Sequence, residues 1–290
     1  MVIGKGRLPH LIASFNNAVW LINIENLNAM STFLSNYIQG KNSLFSTEQT
    51  KMFDFDGDGN DDDDSKREKE LSKEEIFFKN RGVGMMSIEG TLVNKCSSME
   101  SMCGMISTSQ MHEQFLSLSN DPNIKSIYMY IDSPGGEVTG IFEFAQSINK
   151  SSKMVYTFTD NMCCSGGYAL ACAADVLVST PSAQIGSIGV YQAIVKETMQ
   201  DVSVTIVQAG KYKTYGNNVT PITQDEIDYF QSSVNATYDM FVEVVSKCRG
   251  LEVKQVMETE GRHGMANSGL SFLVDDIMLN KTEFIKKYFS

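Results

Sequence analysis

A strand that is apolar on both faces constrains the fold of this chain more than any other feature. Residues 123–131 alternate two apolar sets: Ile124, Tyr128 and Tyr130 on one face, and Ile127, Met129 and Ile131 on the other. Burial on both faces is typical of a parallel strand in a sheet that helices cover on each side. The sequence therefore predicts an α/β fold with a buried parallel sheet.

Glycine-containing turns follow this strand and the next one. The strand ends in Asp-Ser-Pro-Gly-Gly (132–136), before a helical pattern that extends to Ile148. The β-rich run 153–158 then leads into a stretch in which Ser165 precedes two glycines. Strand, helix and strand again predict a right-handed βαβ unit. Both turns lie at the carboxyl ends of strands, where ligands bind in such sheets. We therefore expect the two turns to converge.

Ser165 is the candidate nucleophile. A strand-to-helix junction offers unpaired backbone N–H groups and a partial positive charge, which stabilise a serine oxygen and the oxyanion that it creates. An alternative is that Gly166 and Gly167 merely let a helix pack closely. This stretch alone favours neither interpretation.

A serine nucleophile needs a base, and the usual base is histidine. The histidines of this chain are His10, His112 and His263. None has a persuasive setting, and Cys163 stands where an α/β-hydrolase elbow requires glycine. Lysine is the remaining familiar base. The lysines that follow the serine motif within reach are Lys196, Lys211 and Lys213.

Composition limits the classes of function. The net charge of −11 is concentrated in residues 54–75, where seven Asp, four Glu and four Lys or Arg sum to −7. No basic stripe indicates nucleic-acid binding. The six cysteines include no C-x-x-C pair, which favours a reducing compartment. The apolar stretch 11–24 is interrupted by asparagines, so we expect neither a membrane span nor a signal peptide. We therefore expect a cytoplasmic protein.

Three segments are predicted. Residues 1–52 form an amphipathic helical arm, residues 53–80 an acidic flexible linker, and residues 81–290 the main domain. The linker begins like a calcium loop at Asp54, but Ser65 stands where the twelfth-position glutamate belongs. We therefore expect no metal site and no cofactor.

Four ordered motifs carry a family resemblance. They are Asp-Ser-Pro-Gly-Gly (132–136), Ser-Gly-Gly-Tyr (165–168), Ile-Gly-Ser-Ile-Gly (185–189) and Gly-Lys-Tyr-Lys (210–213). Together they resemble the signal peptide peptidase A (protease IV) family over residues 82–277. The resemblance implies a Clp/crotonase-like fold of repeated ββα units and a serine endopeptidase. Without an expected anchor, the chain looks most like the soluble phage and prophage branch that processes scaffold or capsid proteins, in the host cytoplasm or the prohead.

The resemblance also implies roles for individual residues. Ser165 matches the nucleophile, Lys213 the general base, and Ser187 the serine that orients this lysine. The backbone N–H groups of Gly136 and Gly166 match the oxyanion hole. Full-length family members carry two tandem domains with serine and lysine in different copies. The resemblance therefore implies a homo-oligomer whose protomers share active sites around a peptide or protein substrate.

Alternatives remain at this stage. Within the peptidase class, the chain could degrade signal peptides. From another class, it could be a catalytically silent assembly protein that keeps the fold for oligomerisation. A crotonase-like acyl-CoA enzyme shares the fold class, but it would not require this serine and lysine together.

Overall fold

The computed structural model describes residues 19–22 (backbone only), 72–97, 100–101, 104–194, 205–217 and 219–290. Most of the predicted arm, the Asp54 loop and Lys196 lie outside the described residues. The strands are β1 Val19–Ile22, β2 Val83–Glu89, β3 Thr91–Val93, β4 Met105–Ser107, β5 Ser126–Asp132, β6 Gly135–Glu137, β7 Met154–Thr159, β8 Met162–Cys164, β9 Val176–Ser179, β10 Gln184–Gly186, β11 Tyr191–Gln192, β12 His263–Met265 and β13 Asp276–Ile277. The α-helices are α1 Lys73–Lys79, α2 Thr108–Asn120, α3 Ile141–Asn149, α4 Gly166–Ala171, α5 Gln224–Arg249, α6 Val253–Met257 and α7 Lys281–Phe289. Two 3₁₀ turns span Lys211–Thr214 and Ser271–Leu273.

The predicted buried parallel sheet is confirmed. Its five strands lie in the order β13-β9-β7-β5-β2, and every neighbouring pair is parallel. Within β5 the division follows the predicted pattern: Ile127, Met129 and Ile131 belong to the larger apolar core, and Tyr128 belongs to a second core. Ile124, predicted on the face of Tyr128, instead precedes the strand and packs against the larger core. Helices α2 to α6 contribute to the larger core and α1 and α7 to the second. The sheet is therefore covered on both faces.

The long helix α5 follows its sequence signals closely. Thr223 and Glu226 form a capping box at its start, and Gly250 ends it in the left-handed conformation with φ 64°. Its apolar stripe buries Phe241, Val242 and Val245 in the larger core. None of the helices within the described residues has the length and apolar character needed to cross a membrane.

Two predictions near the N-terminus need correction. Helix α1 lies within the predicted linker 53–80, but its Phe78 is fully buried and stacks on Tyr128 of β5. The packed domain therefore includes residues from Lys73 onward, because an aromatic anchor and a capping box fix this helix. Strand β1 lies within the predicted helical arm, because two neighbouring strands supply a hydrogen-bonding ladder on its two sides.

Two smaller sheets surround the carboxyl edge of the main sheet. One has the order β12-β10-β8 and the other β11-β1-β6-β3-β4. The small sheets are the elements that position the candidate site.

Candidate active site

Ser165 lies where strand β8 turns into helix α4. Its backbone has φ 53° and ψ −117°, a conformation that a residue with a Cβ rarely adopts. Two backbone hydrogen bonds hold it there: Ser165 N donates to Gly186 O at 2.8 Å, and Ser165 O accepts from Ala169 N at 2.8 Å. The strand-to-helix junction predicted from the sequence is therefore present, and its backbone is strained and firmly held.

The Ser165 hydroxyl is buried without a partner. The residue is 1% exposed, and its Oγ has no hydrogen bond among the described residues. Most buried hydroxyls in proteins are hydrogen-bonded, so each exception calls for an explanation. An oxygen held in this way is available to a reacting group or a base that enters the site.

The Asp-Ser-Pro-Gly-Gly turn is bound directly to the strand that ends at this serine. Ser133 N donates to Met162 O at 2.7 Å, and Cys164 N donates to Ser133 O at 3.0 Å. The Asp132 carboxylate accepts from Asn161 Nδ2 at 2.9 Å and from Met162 N at 3.3 Å. The two glycine-containing turns thus converge, as the βαβ pattern predicts.

Gly136 lies in the centre of strand β6, between β3 and β1. A Cβ added to it would lie 1.8 Å from the carbonyl oxygen of Leu92 in β3, so only glycine fits. The Gly166 backbone begins α4 directly after Ser165, and a helix leaves its first N–H groups without intrahelical acceptors. The two glycines that the resemblance assigns to the oxyanion hole therefore lie on β6 and α4, two elements that contact each other.

Ser187 follows the strand adjacent to the one that carries Ser165. Gly186 in β10 pairs in parallel with Cys164 in β8, so the next residues on the two strands are Ser187 and Ser165. Ser187 also has a positive φ, 55°, and its N–H donates to Arg262 O at 2.8 Å. Ser165 and Ser187 therefore follow the carboxyl ends of two neighbouring strands, β8 and β10.

Lys213 is not joined to these residues within the chain. It lies in the 3₁₀ turn Lys211–Thr214, its side chain is exposed, and Ser165 Oγ has no partner among the described residues. Its neighbour Lys211 forms an exposed ion pair with Asp225 at 2.7 Å. A serine and a lysine that react together would have to meet through a movement or through a second subunit.

The structure places one histidine differently from the sequence expectation. The sequence analysis finds no persuasive setting for His263, but β12 pairs with β10 and sets His263 opposite Gly186. This long-range antiparallel pairing leaves no local signal in the sequence. His112, in contrast, lies on α2, where its Nε2 is 2.8 Å from Ser147 Oγ and burial lowers its pKa.

The fold and the site together define a Clp/crotonase-like α/β domain with a serine at a strained strand-to-helix turn. Residues 147–282 match the family model described as peptidase family S49, so the chain carries an S49 peptidase domain. This match confirms the family resemblance and covers three of the four motifs, with Ser165, Ser187 and Lys213; the Asp-Ser-Pro-Gly-Gly motif (132–136) precedes the matched residues.

Several curated relatives are similar to this chain. Capsid assembly protease C of Escherichia phage lambda is 30% identical over 212 residues, which are 70% of this chain and 48% of the relative. Head-tail preconnector protein GP5 of Enterobacteria phage P21 is 27% identical, over 70% of this chain and 42% of the relative. A putative signal peptide peptidase SppA of Enterococcus faecium is 27% identical, over 68% and 60%. The chain thus spans about half the length of the two phage relatives.

Proposed function

We propose that this chain is a serine endopeptidase with Ser165 as its nucleophile. The observation that carries the proposal is the buried Oγ of Ser165, which has no partner in the described part of the chain, at a strained strand-to-helix turn. Strained backbone and unsatisfied polar groups cluster at sites where the surrounding structure holds a residue for a reaction. The proposed reaction is hydrolysis of a peptide bond, because residues 147–282 match the model of peptidase family S49.

Lys213 is the proposed general base and Ser187 the residue that orients it. Ser165 gives its proton to the neutral amine of Lys213 and attacks the scissile carbonyl. The N–H groups of Gly136 and Gly166 then stabilise the oxyanion, and the protonated lysine donates its proton to the leaving amine. Water hydrolyses the acyl-enzyme in the second half of the reaction. No cofactor takes part in this scheme.

The lysine is proposed to come from a neighbouring protomer of a ring-like homo-oligomer. Lys213 is exposed and lies in a 3₁₀ turn that contacts the start of α5, whereas Ser165 is buried and its hydroxyl has no partner among the described residues. A lysine acts as a base only when its amine is neutral, and desolvation favours that form. A repeated head-to-tail contact would both desolvate the amine and complete every site in the same way.

The proposed substrates are phage head proteins, such as a scaffold or capsid protein, cleaved in the host cytoplasm or the prohead. The support comes from the two phage relatives, one of which is a capsid assembly protease. Degradation of signal peptides is the second candidate, because a putative signal peptide peptidase covers a similar share of this chain. Digestion of purified scaffold protein and of a signal peptide in parallel separates these two substrates.

Labelling with a fluorophosphonate tests the nucleophile. We expect the wild-type protein to be modified at Ser165, as peptide mapping would show, and Ser165→Ala to lose both labelling and peptide cleavage. Ser179→Ala is the matched control, because Ser179 is also fully buried with an unpartnered hydroxyl but lies in β9. Ser179→Ala should keep both labelling and peptide cleavage. Cleavage by a folded Ser165→Ala protein would refute the assignment.

The base is tested by substitution and by complementation. Lys213→Ala should abolish cleavage, whereas Lys211→Ala and His263→Asn should leave most of it. Mixing inactive Ser165→Ala with inactive Lys213→Ala under conditions of subunit exchange should restore activity at interfaces with both intact groups. If exchange occurs without activity, the shared site is wrong. If His263→Asn is inactive and Lys213→Ala active, the base is the histidine.

A further inference from the structure

Strand β1 lies between two strands of the sheet that contains the proposed oxyanion glycine Gly136. It pairs antiparallel with β6 on one side and with β11 on the other. The pairs are Trp20 with Glu137, Leu21 with Gly136 and Ile22 with Gly135, and then Val19 with Gln192 and Trp20 with Tyr191. An N-terminal segment is thus hydrogen-bonded into the chain's own sheet beside the proposed oxyanion glycine.

Both flanking strands continue directly from the turns of the active site. Strand β6 contains Gly136, belongs to the turn bound to the serine strand, and packs against α4. Strand β11 begins four residues after Ser187. Because β1 is antiparallel to β6, its chain runs from Glu137 towards Gly135 and therefore towards the Ser133 turn that contacts Cys164. An extended chain in this position approaches the site from one end.

We propose that Val19–Ile22 occupies the position of a bound peptide substrate and competes with substrate as an autoinhibitory strand. The proposal rests on the proposed function of Ser165. Extended peptides commonly bind by adding a strand to a sheet, and their affinity comes from main-chain hydrogen bonds. A strand that uses the main-chain groups of β6 and β11 leaves none of them for a second strand. Because the strand belongs to the same polypeptide, its binding is intramolecular and independent of protein concentration.

The first experiment measures peptide binding in the inactive Ser165→Ala full-length protein. The probe is a dye-labelled synthetic peptide with the sequence of residues 16–25, and its binding is measured by fluorescence anisotropy. Leu21→Pro removes an N–H from β1, and proline is excluded from the middle of a sheet, so the strand should detach. We expect the peptide to bind at least tenfold more tightly to this variant. Leu21→Val keeps the amide and the strand propensity, and it should bind the peptide as the parent does.

The second experiment needs no substitution in the strand. Trp20 is the single tryptophan of the chain, so its fluorescence reports on β1 alone. Added to Ser165→Ala protein, a copy of the peptide with phenylalanine for tryptophan should displace β1 and change this emission saturably. This measurement also applies if the proline variant fails to fold.

The two proposals fail in different ways. Equal peptide affinity in Leu21→Pro and Leu21→Val, or a tryptophan emission that saturating peptide leaves unchanged, would overturn the autoinhibitory strand. A peptide that binds no variant would overturn it as well, because the cleft would not be a peptide site. None of these results depends on catalysis. Residual cleavage by Ser165→Ala would instead overturn the nucleophile and leave the binding result intact.

Discussion

Replacing Ser165 should make the protein inactive and more stable. The serine combines two unfavourable features: a φ of 53° with ψ −117°, and a buried hydroxyl for which the described residues provide no partner. An unsatisfied buried polar group costs about 1–3 kcal/mol. A residue in a sparsely populated backbone region costs about 1–3 kcal/mol more. Ser165→Ala removes only the cost of the buried hydroxyl, whereas Ser165→Gly also removes the cost of the backbone conformation. Glycine in turn loses about 0.5–1 kcal/mol, because its unfolded state has more conformational entropy.

The expected order of stability is therefore glycine above alanine above serine at this position. We expect a gain of about 1 kcal/mol for alanine and about 2 kcal/mol for glycine in the free energy of unfolding. Urea denaturation measures these differences, and thermal melting should follow with about 2–4 °C for each kcal/mol. Glu260→Gly is the control, because Glu260 is exposed and has a φ of 49°, so it reports backbone relief alone.

A Ser165→Ala protein less stable than wild type would contradict this order, because the hydroxyl would then have a favourable partner. A Ser165→Gly protein less stable than Ser165→Ala, while Glu260→Gly gains stability, would contradict it as well. In that case the turn would not be strained by the serine Cβ.

Three further predictions concern other parts of the fold. Arg249→Met breaks the ion pair with Asp275 and should cost about 2 kcal/mol of unfolding free energy, whereas Lys254→Met, in an exposed pair, should cost under about 0.5 kcal/mol. A hydrogen bond from Cys172 lowers the pKa of Cys248 to about 7, so alkylation of Cys248 should rise through pH 7, and Cys172→Ala should move this rise to higher pH, as mass spectrometry would show. Gly136→Ala should yield little folded protein by circular dichroism, because its Cβ would lie 1.8 Å from a carbonyl oxygen of β3.

The sequence predicts those parts of the fold that rest on local patterns. The alternation in β5 identifies a sheet buried on both faces, and the capping box and Gly250 define the ends of α5. The turn at Ser165 is visible as a β-rich run followed by small residues. Helix α1 also carried a readable signal, the Ser72 and Glu75 capping box before two phenylalanines, but the surrounding charge obscured it.

Other features depend on contacts between distant segments, which a local pattern does not contain. Residues 8–39 have helical spacing, yet Val19–Ile22 pairs as a strand because β6 and β11 offer free ladder positions. His263 is brought opposite Gly186 by pairing of strands that are remote in sequence. In the proposed shared site, the position of Lys213 relative to Ser165 would depend on the assembly, and one chain would not determine it.

The site has a fixed half and an exposed half, and this division leads to a last prediction. Ser165, Gly136 and Ser187 are held by backbone hydrogen bonds and strand pairing within one chain, whereas Lys213 lies exposed in a turn. If a neighbour supplies the lysine, specific activity should fall on dilution in parallel with the oligomer mass measured by light scattering. Leu21→Pro provides a separating control: it should raise activity at every concentration without removing the dilution effect, because β1 binds within its own chain. Activity that stays constant while the protein dissociates into monomers would refute the shared site.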